Sequence, residues 1–153
     1  MIIKFCHSTG ILEHGAIKVQ CSCKIKNELN GLRSKGPIVR TMPSPGVPYQ
    51  PRQFPAGRWQ VFKPIPKTDA YMAPYYIPTD AWQLVDVWTV KDGAYDTKTE
   101  MQIKDYGYGL HFSSSPTTLG CIKIGNLLDL QNLVSKINAR IALKESVFIE
   151  VTA

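Results

Sequence analysis

With 153 residues, 44% apolar and 20% charged, the chain is long enough to bury one sizeable core and has the make-up of a globular protein rather than a disordered or fibrous one. The net charge of +6 suits an anionic partner, but the basic residues are dispersed, and no recognition helix, RNP segment or zinc-finger spacing occurs, so nucleic-acid binding is not expected. No apolar run approaches a membrane span, and four cysteines are too few for a disulfide scaffold of this size.

Residues 2–7 read as a first strand, and His14-Gly15 as a hairpin turn. The clearest strand follows: Ile17, Val19, Cys21, Cys23 and Ile25 alternate with Lys18, Gln20, Ser22 and Lys24. Period two puts Cys21 and Cys23 on the buried face of a sheet, as core thiols. His7 and His14 then read as a strand end and a turn residue. A metal tetrad of Cys6, His7, Cys21 and Cys23 fits no standard zinc spacing.

From Asn27 to Gly57 the chain has six prolines and little periodicity, which suits a long ordered surface loop with Ile38, Val39, Val47, Tyr49 and Phe54 to bury. Arg58 to Phe62 resumes as a strand. Lys63 to Pro78 reads as a Pro/Tyr loop, where Tyr71, Tyr75 and Tyr76 either simply pack, form a lid over a cleft or stack on a sugar ring. Trp82 to Val90 is rich in β formers and apolar on both faces, which predicts a central strand. Asp92-Gly93 predicts a turn and Thr99 to Ile103 a further strand. Gly107 and Gly109 then lead into Leu110-His111, where bare backbone can pass close to a substrate.

His111 to Asn126 is the stretch that suggests chemistry. A thiol attacks as thiolate, and a nearby imidazole takes its proton. His111 precedes Cys121 by ten positions, enough for one strand to end, a Ser/Pro/Thr loop to turn and an adjacent strand to begin. Gly120, directly before the cysteine, lets N–H groups around Leu119, Gly120 and Cys121 point at one spot, as an oxyanion hole requires. Asn126 is a good N-cap, with Asp129 in the first turn. Leu127, Leu130, Val134, Ile137 and Ile141 predict one helix with an apolar stripe, and Val147 to Thr152 a closing strand. With no internal repeat or linker, residues 1–153 read as a single domain: mainly β, a mixed sheet wrapped into a sandwich or open barrel, with one C-terminal amphipathic helix.

His111, followed by Thr118-Leu119-Gly120-Cys121-Ile122-Lys123, resembles the signature of L,D-transpeptidase catalytic domains of the YkuD type. Pro55-Ala56-Gly57-Arg58-Trp59-Gln60-Val61 and the end of the chain from Asn126 to Ile149 are similar to that family as well, so the resemblance covers about half of the chain. The interval from His111 to Cys121 is shorter than in typical members. Leu119 stands where histidine is common, and Lys123 replaces an arginine, keeping the charge without the planar fork. Papain-like and NlpC/P60-type peptidases have the cysteine first, the reverse of the order here.

The resemblance implies an L,D-transpeptidase-like domain that performs cysteine-dependent acyl transfer or hydrolysis on peptidoglycan stem peptides. Cys121 would be the nucleophile and His111 its base. Backbone N–H groups of Leu119, Gly120 and Cys121 would hold the oxyanion, Thr118 and Lys123 would orient the donor peptide, and no metal or cofactor is called for. The N-terminal MIIKFCHSTG lacks the basic region and long apolar core of a Sec signal. The expectation is a protein made in the cytoplasm that acts in the periplasm or cell wall after release or injection, as a phage lytic protein or antibacterial effector, with any immunity or delivery partner left open. The competing readings are a non-catalytic wall-binding or virion module and a cysteine amidase that cuts another peptidoglycan bond.

Overall fold

Alternation of apolar and polar side chains sets the first strands. In β1 (Ile2–Cys6), Ile3 and Phe5 face inward; in β2 (Ile11–His14), Leu12 and His14 do; in β3 (Ile17–Ser22), Val19 and Cys21 do. The computed structural model describes residues 1–25, 48–92, 94–115, 117–118 and 120–153. Along them follow β4 (Lys24–Ile25), β5 (Gly57–Val61), β6 (Ile65–Pro66), β7 (Tyr75–Pro78), β8 (Gln83–Lys91) and β9 (Ala94–Asp105). Then come β10 (Gly109–Phe112), β11 (Thr117–Thr118), β12 (Ile122–Ile124), the helix α1 (Leu127–Ala142) and β13 (Val147–Thr152). The fold is mainly β with one helix.

One mixed sheet of nine strands runs in the order β5-β13-β1-β2-β3-β12-β10-β7-β6. The β1/β13 and β10/β12 pairs are parallel, and the other neighbours are antiparallel. The sheet curls on itself: Val61 at the end of β5 bridges Thr79 just beyond β7, and Phe62 N donates to Pro78 O at 2.9 Å. Into the hollow packs α1 through Leu130, Leu133, Val134 and Ile137, against Ile3, Leu12, Leu110, Ile122, Ile124 and Ile149 in one core. Burial of each of these helix side chains stabilises the fold by roughly 2 kcal/mol. Asn126 caps the helix, its Oδ1 accepting from Asp129 N at 3.1 Å. Among the described residues no helix is long and apolar enough to cross a membrane.

Several local expectations need correction. Leu127, in the opening turn of α1, remains 41% exposed, and Leu133 takes its place in the stripe. The run Trp82 to Val90 is not central: β8 pairs with β9 in a separate two-stranded sheet. Its apolar residues divide between a small cluster of Val85 and Val87 with Tyr49 and Ile103, and exposed positions at Trp82 and Leu84. Periodicity registers two apolar faces without telling which is covered. The segment Lys63 to Pro78 is not all loop, since β6 and β7 pair within it. Pro66 sits in β6 at the end of the sheet order, where a missing N–H costs no ladder bond. Tyr49 and Phe54 are buried, whereas Ile38, Val39 and Val47 lie outside the described residues.

His14 is no turn residue. It closes β2 facing the core, 1% exposed, and the turn falls on Gly15 and Ala16. Lys136 Nζ on α1 stands 3.3 Å from its Nδ1, so the ammonium donates there and Nε2 carries the imidazole's hydrogen, buried without a partner among the described residues. Burial, and then Lys136, push the His14 pKa below 6.5 against an opposing pull from Asp129. A base with a depressed folded-state pKa binds its proton less readily than the unfolded chain does. Its contribution is complete above pH 6.5, falls as pH drops below that value, and levels off below the folded pKa. Urea midpoints measured at about pH 7.5 and about pH 5.5 should therefore fall less in His14→Leu than in the wild type. An equal fall in both proteins contradicts this.

Candidate active site

Parallel pairing sets the histidine and the cysteine at neighbouring positions of one sheet. Leu110 pairs with Ile122, His111 with Lys123 and Phe112 with Ile124. Side chains opposite one another on paired strands share a face, and successive residues alternate. Leu110, Ile122 and Ile124 are all buried in the core beneath α1. His111 and Lys123 consequently project from the other face, and so does Cys121, one residue before Ile122. His111 in β10 and Cys121, directly before β12, are thus offset by one pleat, with backbones roughly 8 Å apart on strand spacing. The connection between them is a crossover rather than a hairpin, and within it β11 pairs in parallel with β4.

His111 is 6% exposed. Its Nδ1 lies 3.1 Å from Phe112 O, and because a carbonyl only accepts, Nδ1 carries the hydrogen and Nε2 keeps its lone pair. Burial, followed by the positive charge of Lys123, lowers the ring's pKa below 6.5, while the Phe112 carbonyl, Asp69 and the Tyr71 carbonyl pull it back up. Asp69 and Tyr71 belong to the turn between β6 and β7, folded by Asp69 Oδ1 accepting from Tyr71 N at 2.9 Å and Met72 N at 2.8 Å. His111 is therefore a neutral base at neutral pH, oriented by its own strand and influenced by that turn.

Cys121 is half-buried, and its Sγ donates toward Gly107 O at 3.7 Å. Tyr76 Oη donates to the same carbonyl at 2.9 Å. Tyr76 faces His111 across the β7/β10 pair, and its ring leans over Gly109, where a Cβ would meet ring carbons at 2.5 Å. On the other side is Tyr108, whose ring a Cβ on Gly120 would meet at 2.6 Å. Tyr108 is anchored by donating to Asp105 Oδ2 at 2.8 Å and accepting from Gln83 Nε2 at 2.8 Å, and burial pushes its phenol up to about 12.

The residues expected to bind the oxyanion are arranged differently. Gly120 N donates to Thr118 Oγ1 at 3.2 Å, so in this conformation the amide and the hydroxyl serve each other. Thr118 is 4% exposed and pairs with Ile25 in the β11/β4 ladder. Leu119 lies outside the described residues. Lys123, half-buried, stands beside His111 and acts on it electrostatically.

A second thiol–imidazole pair joins two residues that the sequence grouped only as members of a candidate metal tetrad. His7 Nδ1 lies 3.0 Å from Cys23 Sγ, and His7 Nε2 lies 2.7 Å from Phe54 O. The carbonyl fixes the hydrogen on Nε2, so Nδ1 accepts from the Cys23 thiol, whose pKa burial pushes up. This pair clamps β1, β3 and the segment before β5 rather than presenting a nucleophile. Cys6 has the opposite character: hydrogen bonds from Ser8 and Thr9 bring its pKa down to about 6, with hydroxyls around it instead of an imidazole.

Compared with known proteins, the chain matches no family model, and no curated protein or solved structure is significantly similar to it.

The two charges beside His111 act in opposite senses, which an NMR titration of the imidazole can read without any substrate. Lys123→Gln should raise the His111 pKa toward 6.5, and Asp69→Asn, which keeps the turn's acceptor, should lower it further. Shifts of the same sign in the two variants, or none, contradict the assignment.

Proposed function

We propose that the protein is a cysteine-dependent acyl-transfer enzyme acting on peptidoglycan stem peptides, with an L,D-transpeptidase-like fold in which the curled sheet is an open barrel around α1. The observation that carries this reading is the shared outer face of β10 and β12. His111, oriented through Nδ1 by the Phe112 carbonyl, stands there in β10, and Cys121 directly before β12, at the positions where the sequence resembles the family's motif.

In this reading Cys121 gives its proton to His111 Nε2 and attacks the carbonyl of an L,D-peptide linkage. The imidazolium then protonates the amine of the leaving D-amino acid. The thioester passes to an amine, giving exchange or a crosslink, or to water, giving carboxypeptidase or endopeptidase activity. Lys123 favours the neutral base and offers a positive charge to a substrate carboxylate. Peptidoglycan lies outside the cytoplasmic membrane, so the reading implies action in the periplasm or wall.

Mass spectrometry of defined tetrapeptide and crosslinked muropeptides tests it. The wild type should release or exchange the terminal D-residue, and Cys121→Ala should lose this by about 10⁶-fold, to below detection. Cleavage of another bond would indicate an amidase. Biological activity unchanged in Cys121→Ala would indicate a non-catalytic wall-binding or virion module.

A further inference from the structure

One hydroxyl beside the thiol has no part in the scheme above. Tyr76 Oη donates to Gly107 O at 2.9 Å, and Cys121 Sγ approaches that same carbonyl at 3.7 Å, so the two atoms are no further apart than these two reaches combined. The contact depends on Gly109. A Cβ there would fall 2.5 Å from the Tyr76 ring and 2.6 Å from Ile77 O, so only a bare backbone admits the ring. The amide that the Gly-Cys turn would offer to a developing oxyanion, Gly120 N–H, is meanwhile bonded to Thr118 Oγ1. An acyl-transfer site needs a donor at about 2.7–3.1 Å from the tetrahedral oxygen.

We propose that Tyr76 is a catalytic residue, its hydroxyl turning from the Gly107 carbonyl to donate a hydrogen bond to the oxyanion formed on Cys121. The inference rests on the acyl-transfer reading. As the Cys121 proton passes to His111 Nε2, the S–C bond forms and the carbonyl π pair moves onto oxygen. Tyr76 keeps its own proton and donates to that oxygen. When the C–N bond breaks, the pair returns to rebuild the carbonyl, the imidazolium proton goes to the leaving amine, and Tyr76 goes back to Gly107. Burial, and then the neighbouring Cys121, hold the Tyr76 phenol above its ordinary 10, which keeps it a donor throughout.

Tyr76→Phe retains the ring over Gly109 and removes only the hydroxyl. Two reagents separate its roles, each followed at the Cys121 peptide by mass spectrometry so that Cys6 does not interfere. p-Nitrophenyl acetate acylates through a tetrahedral oxyanion, and iodoacetamide alkylates by displacement at saturated carbon without one. In Tyr76→Phe, acylation should fall by at least about tenfold with alkylation unchanged. Acylation that does not fall, a parallel fall of both rates, a wild-type Cys121 that the ester leaves unmodified, or a variant that newly exposes Cys21 to alkylation would each overturn the proposal. The ester needs no muropeptide, so this result stands apart from the test of the substrate class.

Discussion

The site depends on the register of one parallel strand pair. Leu110, Ile122 and Ile124 are drawn beneath α1 by the hydrophobic effect, and alternation then leaves His111, Lys123 and Cys121 no choice but the opposite face. A slip of one residue would bury the imidazole side and expose the apolar one, so the same burial that stabilises the core fixes which residues share the outer face. Packing and chemistry are here two consequences of a single constraint.

Electrostatics around that face favour a neutral resting pair. His111 is desolvated and has Lys123 beside it, both of which disfavour the imidazolium, and Cys121 points its sulfur at a carbonyl, which suits a thiol rather than a thiolate. In the proposed reaction the proton would move as the substrate carbonyl arrives. The carbonyls of Phe112 and Tyr71, together with Asp69, are placed to support the imidazolium once it forms. Cys6 and Cys23 show that pKa alone does not define such a site: one thiol is acidified by hydroxyls without an imidazole, and the other has its imidazole but is held protonated by burial.

Much of the framework was legible in the sequence because it rests on short-range pattern. Alternation placed β1, β3 and the inward Cys21 and Cys23, while the Asn126 cap and the three-four spacing placed α1. Loop length and turn residues suggested a simple turn from His111 to Cys121, whereas β10 and β12 pair in parallel through a crossover that contains β11. What failed depends on long-range partners. Periodicity saw two apolar faces on β8 but not that it leaves the main sheet, and it could not tell that His14 turns inward toward Lys136. The bond that Gly120 N–H donates to Thr118 Oγ1 likewise depends on the turn's conformation, which no pattern reveals. Tyr76 lies far from Cys121 along the chain, and its place near the thiol came into view only through the register with His111 and the bare Gly109.

The most direct test of the account is the pH dependence of iodoacetamide alkylation at Cys121 in the wild type and in His111→Ala. A thiol coupled to an imidazole forms a constant small fraction of ion pair between the two titrations. The wild-type rate should therefore rise through the His111 titration, below 6.5, and then stay flat until the thiol itself ionises. In His111→Ala the rate should climb about tenfold per pH unit across the same range. Superimposable profiles would show that the imidazole never takes the proton of Cys121, and would contradict the account at its centre.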